Sequence, residues 1–162
     1  MARPRPERVP LSPAQQRLWF LYQFEGPSAT YNVPTALRLS GPLDRAALGL
    51  AIGDVLARHE SLRTVFAEDE EGSRQIVLPA DRAGHGLDVV DATEEDVEER
   101  VARAARHVFD LTADIPFLAR LFRISDTEHV LLLLIHHIAS DGWSMAPLAR
   151  DLVTAYAARV RG

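Results

Sequence analysis

Residues 130–142 read VLLLLIHHIASDG, and this stretch joins the most hydrophobic run in the chain to a pair of histidines. An apolar run of this length, bounded by polar residues, indicates a buried central strand. The histidines therefore fall where a buried strand passes into a loop, a usual place for a site in an α/β sheet. Imidazole is also the side chain best suited to moving a proton near neutral pH. His136 and His137 are candidate catalytic residues, and a purely structural pair of buried histidines is the alternative.

A metal site is a second interpretation of His136, His137 and Asp141. Adjacent residues on a strand point to opposite faces, so two neighbouring histidines do not easily reach one ion. Known zinc motifs on helices space their histidines four residues apart for this reason. The chain has no cysteine that could complete a site. The sequence therefore predicts that no metal is bound.

The bulk composition is that of an ordinary soluble globular protein. A length of 162 residues fits one domain with a real core, and 47% of the residues are hydrophobic and 25% charged. A net charge of −5 argues against nucleic acid or an anionic membrane as the main partner. No apolar stretch is long enough for a membrane span, and residues 1–10 do not resemble a signal peptide. Without cysteine, disulfides and thiol chemistry are excluded, which fits a cytoplasmic enzyme.

The pattern of the chain predicts alternating helices and strands. Ser12 and Gln15 form a capping box, Asp44 can cap a second helix, and Thr93 with Asp96 can cap a third. The predicted order is an arm over 1–11, a helix over 13–24, a strand over 33–40, a helix after Asp44, a hairpin over 62–67 and 74–78, a short strand over 87–90, a helix to 108, a hairpin over 117–124 and 129–135, and a last helix from 144 or 145 to 160. This order predicts a mixed α/β domain with helices packed on one sheet.

Three separated segments resemble one family, the condensation domains of nonribosomal peptide synthetases. Residues 12–21, SPAQQRLWFL, match the pattern SxAQxRLWxL, and residues 58–66, RHESLRTVF, match RHExLRTxF. Residues 136–144, HHIASDGWS, carry HHxxxDG, which chloramphenicol acetyltransferases share. The sequence GPLD at 41–44 is also typical of the family. The three segments together, in this order and spacing, are highly specific.

The resemblance implies a fold and a boundary. The fold would be an α+β sandwich, a chloramphenicol-acetyltransferase-like lobe with helices packed on a mixed sheet. A complete condensation domain has two such lobes, with the active-site tunnel between them. Residues 12–162 would form the N-terminal lobe, preceded by a linker over 1–11, and the second lobe is absent. The chain alone would then be an inactive half-domain fragment.

The resemblance also implies a reaction. Condensation domains join a donor acyl thioester to an acceptor amine, and both are carried on the 4'-phosphopantetheine arms of partner carrier domains. The implied partners are the donor and acceptor peptidyl carrier domains, the second lobe and a neighbouring adenylation domain, with no cofactor bound directly. The amine must be neutral to attack, so a nearby imidazole can accept or position its proton. By resemblance His137 has this role, as a base or as a positioning group.

The other motif residues are implied to support the catalytic loop. His136 would point to the opposite face and hold the loop. Asp141 would form an ion pair with Arg63 of the second motif, although a solvated strand residue is the alternative for Arg63. Gly142 would allow close backbone approach, with its N–H facing the thioester oxygen.

Aromatic and polar residues next to these motifs have simpler expectations. Trp143 and Ser144 would shape the tunnel wall and cap the last helix, with packing the main role of Trp143. Arg17 and Trp19 of the first motif are expected to be structural.

Other activities share parts of this sequence pattern. An epimerization domain also carries HHxxxDG, but usually continues with Val-Ser-Trp rather than the Trp143-Ser144 found here. A non-catalytic lobe that only docks carrier domains is the alternative outside enzymes. Within condensation domains, the first and third segments most resemble the subtype that joins an L donor to an L acceptor.

Overall fold

The computed structural model describes residue 6 and residues 8–83 and 86–162. It contains four helices: α1 (Pro13–Glu25), α2 (Arg45–Arg58), α3 (Val97–Ala104) and α4 (Met145–Arg161). The strands are β1 (Val9–Pro10), β2 (Asn32–Ser40), β3 (Thr64–Asp69), β4 (Gly72–Val77), β5 (Asp88–Asp91), β6 (Phe117–Arg123) and β7 (Glu128–His136). Two short 3₁₀ turns cover Glu60–Arg63 and Ala80–Arg82. In these described parts, no helix is long and apolar enough to cross a membrane.

The strands form two sheets. The larger has the order β2-β7-β6-β5, in which β5 and β6 run parallel and the other pairs run antiparallel. The smaller has the order β1-β4-β3 and is antiparallel. The prediction of a mixed α/β fold with helices packed on a mixed sheet is confirmed, but the prediction that one sheet takes all the strands is wrong.

The smaller sheet has a third strand because part of the N-terminal segment is not a free arm. Val9 and Pro10 pair with Gln75 and Arg74 of β4. The Gln75 side chain donates to the Pro10 carbonyl at 2.9 Å. Residues 9–10 therefore give the β3–β4 hairpin a third strand, which a proline-rich sequence does not suggest. Leu11, the last residue of the predicted arm, is buried, and residues 1–5 and 7 of that arm lie outside the described residues.

Strand β7 is buried on both faces, which explains why its sequence does not alternate. On one face its odd-numbered residues, Leu131, Leu133 and Ile135, pack against apolar residues of α2 and α4. On the other face, Leu132 packs with Phe122 of β6 and Val97 of α3. Leu134 lies on that face too, in a cluster with Trp19 of α1 and Phe66 of β3. The result is a central sheet with helices on both sides, and β7 is one of its two inner strands.

The predicted helix starts are correct, but one helix is shorter than its pattern suggests. Ser12 and Gln15 form both bonds of the capping box, and the Asp44 side chain accepts from the Ala47 N–H. Helix α3 ends at Ala104 instead of near residue 108. After Ala104 the N–H groups of Arg106 and His107 donate to the carbonyls three residues back, so the last turn tightens to 3₁₀ geometry. The Asn32 side-chain amide on β2 donates to the carbonyls of Ala105 and His107, at 3.1 and 2.7 Å, and so caps this end of the helix.

Candidate functional site

The histidine pair lies where β7 leaves the sheet. His136 is the last residue of β7, and its N–H donates to the Pro116 carbonyl at 3.0 Å. The His137 N–H donates to the Tyr31 carbonyl at 2.8 Å, just before β2 begins. Both backbone positions are fixed by neighbouring segments of the sheet. The predicted place of the pair, at the end of a central strand, is confirmed.

His136 is buried and supports the loop. Only 3% of the residue is exposed, and its Nδ1 accepts a hydrogen bond from the Ile138 N–H at 3.1 Å. Phe109 meets the ring edge-on with centroids 6.4 Å apart. Burial, and to a lesser extent the nearby His137, lowers the pKa of His136 to about 4. His136 is therefore neutral near pH 7, with its proton on Nε2 because Nδ1 is an acceptor.

His137 is exposed, and one of its ring nitrogens has a fixed partner. Its Nδ1 lies 2.5 Å from the Ser140 carbonyl oxygen. A carbonyl oxygen can only accept, so Nδ1 carries the hydrogen. In the neutral ring Nε2 then has a free lone pair. The side chain is accessible from a cavity on one side, and the loop holds it in the tautomer that a proton acceptor at Nε2 needs.

The cavity beside His137 has a volume of about 650 Å³ and is open. Its walls are one face of α1, Tyr31 and the loop after β7. The lining residues are Ser12, Ala14, Gln15, Arg17, Leu18, Leu21, Tyr31, His137, Ile138, Ala139, Ser140, Asp141 and Ser144. A cavity of this size is within the range of ligand sites in proteins.

The first sequence motif contributes to this wall more than its pattern suggests. Gln15 completes the capping box, and its Nε2 also lies 3.4 Å from the Ile138 carbonyl in the loop after β7. Trp19 is buried beside Tyr22 and Phe66, so its predicted structural role is confirmed. Arg17 was expected to be structural too, but it lies on the cavity wall. The signal that could have separated them is helical spacing, since Arg17 follows Ala14 by three residues on the same face.

The predicted ion pair between Asp141 and Arg63 is not formed. Asp141 is exposed, and its Oδ1 accepts from the Ser144 N–H at 2.9 Å and from the Ser144 hydroxyl at 2.6 Å. These bonds lower the pKa of the Asp141 carboxyl, the hydroxyl contributing most. The carboxylate is satisfied by the turn that precedes α4. Ser144 itself makes no side-chain cap to α4, and its hydroxyl instead orders the turn together with Asp141.

Arg63 is used elsewhere, and it is not a solvated strand residue either. Its guanidinium donates to three backbone carbonyls, those of Leu56, Ala57 and Leu78. Leu56 and Ala57 are in the last turn of α2, whose carbonyls have no partners within the helix. Arg63 therefore ties the end of α2 to the end of the β3–β4 hairpin.

Gly142 and Trp143 face solvent in this chain. A Cβ added at Gly142 would meet nothing within 4 Å, and Gly142 is not among the glycines with positive φ. Nothing in the described residues therefore requires glycine at this position. Trp143 is 90% exposed, so the predicted packing role is not fulfilled by the described residues. Among those residues, no group of three His, Cys, Asp or Glu side chains could hold a metal ion.

Comparison with known proteins agrees with the fold and with the family that the sequence resembles. The condensation-domain family model matches residues 6–162. The dimodular nonribosomal peptide synthase of Bacillus subtilis is 56% identical over 158 residues. Among solved structures, the X-domain in its complex with OxyB from teicoplanin biosynthesis superposes with a TM-score of 0.91 at 45% identity, covering 99% of this chain. The first condensation domain of the CDA synthetase gives a TM-score of 0.81 at 27% identity, covering 94% of this chain. The chain belongs to the condensation-domain family of nonribosomal peptide synthetases.

The chain is much shorter than these relatives. The match to the Bacillus subtilis synthase covers 98% of this chain but only 7% of that protein. It covers 35% of the teicoplanin X-domain chain and 40% of the CDA condensation-domain chain. The matched region therefore corresponds to part of a solved condensation domain.

Proposed function

We propose that this chain is the first lobe of a condensation domain, formed by residues 12–162, and that His137 carries the chemistry of peptide-bond formation. The donor would be an acyl thioester and the acceptor an amine, each on the phosphopantetheine arm of a carrier domain. The observation that supports this most strongly is the free Nε2 of His137 at the wall of an open cavity, with Nδ1 held by Ser140.

The reaction needs one group that handles a proton. The amine nitrogen attacks the thioester carbonyl, a C–N bond forms, and the carbon–sulfur bond breaks. The amine loses one proton to Nε2 of His137, and the protonated ring gives that proton to the departing thiolate, so charge and atoms balance. A positioned imidazole typically contributes about 10²–10⁴-fold to such a step. His136 cannot take this role, because it is buried and its Nδ1 is already an acceptor for Ile138.

The proposal also includes a second lobe, which would complete the active-site tunnel. The open side of the cavity beside His137 supports this. The walls of the cavity are α1 and the segment between β7 and α4, which is the catalytic loop in this proposal. Trp143 in this loop is exposed. A tryptophan in this position gains most by packing against a partner surface. The second lobe, the two carrier domains and a neighbouring adenylation domain are the proposed partners. A cytoplasmic location belongs to the same proposal and rests on the cysteine-free composition.

The test uses the intact condensation domain that contains this chain, with donor and acceptor carrier proteins already loaded. Product is measured in a single turnover. The wild-type domain should form the peptide, and His137→Ala should lower the rate by at least about 100-fold. His107→Ala is the matched control, because His107 is also exposed but does not line the cavity. Equal rates for the wild type and His137→Ala would overturn the assignment.

A second candidate is a lobe that only binds other proteins. It is favoured by one observation: the identity to the teicoplanin X-domain, solved in a complex with OxyB, is 45%, against 27% for the CDA condensation domain. The same assay separates the two functions. A docking lobe would bind a partner protein but form no peptide, in the wild type as in His137→Ala.

A further inference from the structure

A much smaller cavity lies between the catalytic loop, the residues after α2 and the first turn of α4. Its volume is about 40 Å³. Apolar residues of β7 and α4, among them Ile135 and Leu148, form part of the wall. Its polar lining is His59, Ser61, Ser140 and Ser144. A polar cavity of this size can hold a water molecule, which usually makes about three hydrogen bonds.

Ser140 is the residue that connects this small cavity to the reacting group. Its carbonyl accepts from Nδ1 of His137. The residue is only 8% exposed, and its hydroxyl has no hydrogen-bond partner among the described residues. Buried hydroxyls are nearly always bonded to protein or to ordered water. The orphaned hydroxyl and the polar cavity are independent observations that point to the same bound molecule.

His59 forms another part of the wall and is itself held firmly. Its Nε2 donates to the Asp151 carboxylate on α4 at 2.8 Å. That bond is the largest contribution to the lowered pKa of Asp151. His59 belongs to the second sequence motif, and the proposed reaction leaves it without a role. It fixes the end of α2 to the helix that follows the catalytic loop.

We propose that one water molecule in this cavity joins the Ser140 hydroxyl to the His59–Asp151 pair, and that this network holds the Ser140 carbonyl on Nδ1 of His137. Ser140, His59 and Asp151 are then positioning residues. The inference rests on the proposed function of His137. If the Ser140 carbonyl turns away, Nδ1 loses its acceptor, and the ring is free to carry its hydrogen on Nε2 instead. A ring in that state cannot accept the proton of the amine.

The activity test uses the same intact domain and loaded carriers, with kcat and KM measured separately. Ser140→Ala and His59→Ala should each lower kcat by about tenfold, the effect expected for a partner that orients a reacting histidine, and leave KM unchanged. His59→Gln should recover most of the rate, because its amide can still donate to Asp151. Arg58→Ala is the matched control. Arg58 also contacts Asp151, at 3.0 Å, but it is exposed and does not line the cavity, so kcat should stay at the wild-type value.

Two structural readouts need no activity. A high-resolution crystal structure of the intact wild-type domain should show a water within hydrogen-bond distance of the Ser140 hydroxyl and the His59 ring. Nitrogen-15 NMR should show His137 protonated on Nδ1 in the wild type and a mixture of tautomers in Ser140→Ala. A dry cavity, or an unchanged tautomer, would overturn the proposal.

The outcomes distinguish this inference from the proposed function. A wild-type kcat in Ser140→Ala would overturn the inference. It would mean that the Ser140 hydroxyl bonds to nothing, since removing an unsatisfied buried hydroxyl is neutral or stabilising. If His137→Ala kept wild-type activity, the proposed function would fail, while the water and the tautomer would still decide the positioning network. Ser140→Ala removes a single oxygen atom, and its melting temperature checks that the domain remains folded.

Discussion

At the scale of single residues, two neighbouring histidines differ because the strand ends between them. His136 keeps the geometry of β7 and is buried, whereas His137 turns out into the cavity. Hydrogen bonds to the backbone decide the tautomer of each ring. The Ile138 N–H donates to Nδ1 of His136, and the Ser140 carbonyl accepts a hydrogen bond from Nδ1–H of His137. One imidazole is therefore a fixed support and the other presents a free Nε2.

The first prediction concerns acid stability and His136. Its pKa is lowered to about 4 in the folded state, against about 6.5 unfolded, so the unfolded chain binds more protons between these values. Stability should therefore fall as the pH drops from about 6.5 to about 4, by about 3 kcal/mol from this residue. Denaturant unfolding at pH 7 and pH 4.5 measures it.

His136→Asn is the control for that measurement. Its side-chain oxygen can still accept from the Ile138 N–H, but it does not titrate. The wild type should lose more stability on acidification than His136→Asn. Identical losses would show that His136 is protonated as easily in the folded state as in the unfolded one.

The second prediction concerns Asp141 and Arg63, for which the family resemblance implies an ion pair that the structure does not contain. Arg63→Ala should lower the free energy of unfolding by about 3 kcal/mol, because three backbone carbonyls lose a charged donor. Asp141→Ala should lower the melting temperature through the lost bonds to Ser144. In the double variant the two shifts should add, since the residues share no partner. A strongly non-additive double variant would mean that the ion pair forms in solution.

At the scale of elements, strand β7 explains why the fold could be predicted from the sequence. Its six apolar residues are needed because helices cover both faces of the sheet. The caps at Ser12 and Asp44 were equally readable, since a capping side chain bonds within three residues of itself. Features that depend on distant partners were missed: β1 exists through its pairing with β4, and the C-terminal end of α3 is capped by Asn32 of β2.

The same distinction applies to the candidate site. The position of His137 follows from the local pattern of strand and loop. The role of Gln15 against Ile138 and the His59–Asp151 contact join residues far apart in sequence. The Arg63 side chain joins two different elements, the end of α2 and the end of the β3–β4 hairpin. No spacing rule within one segment gives such contacts. The family resemblance suggested a partner for Arg63, and the wrong one.

The third prediction tests the packing of β7. Leu134 is fully buried in the cluster with Trp19 and Phe66. Leu134→Ala should cost about 2–5 kcal/mol of unfolding free energy, from lost burial and the cavity left behind. Leu37→Ala is the matched control on the neighbouring strand β2, because Leu37 is 40% exposed, and its cost should be far smaller. Equal costs in denaturant unfolding would contradict the central position of β7.

At the scale of the whole molecule, the cavity beside His137 is open, and its walls are α1, Tyr31 and the loop after β7. The chain matches 35–40% of the solved chains that it resembles. The fourth prediction is that this chain alone forms no peptide above background from loaded donor and acceptor carriers. One wall cannot hold two pantetheine arms against His137, and orientation accounts for a large part of such rates. Robust product from the isolated chain would show that one lobe suffices.

The proposed function requires that Nε2 of His137 accepts the proton of the acceptor amine, while Nδ1 only orients the ring. His137→Asn separates the two, because its amide N–H can replace Nδ1–H at the Ser140 carbonyl but nothing replaces Nε2. The measurement is the single-turnover condensation rate of this variant in the intact domain with loaded carriers. The rate of His137→Asn should be at least about 100-fold below that of the wild type, with an unchanged melting temperature. A rate close to the wild type would contradict it.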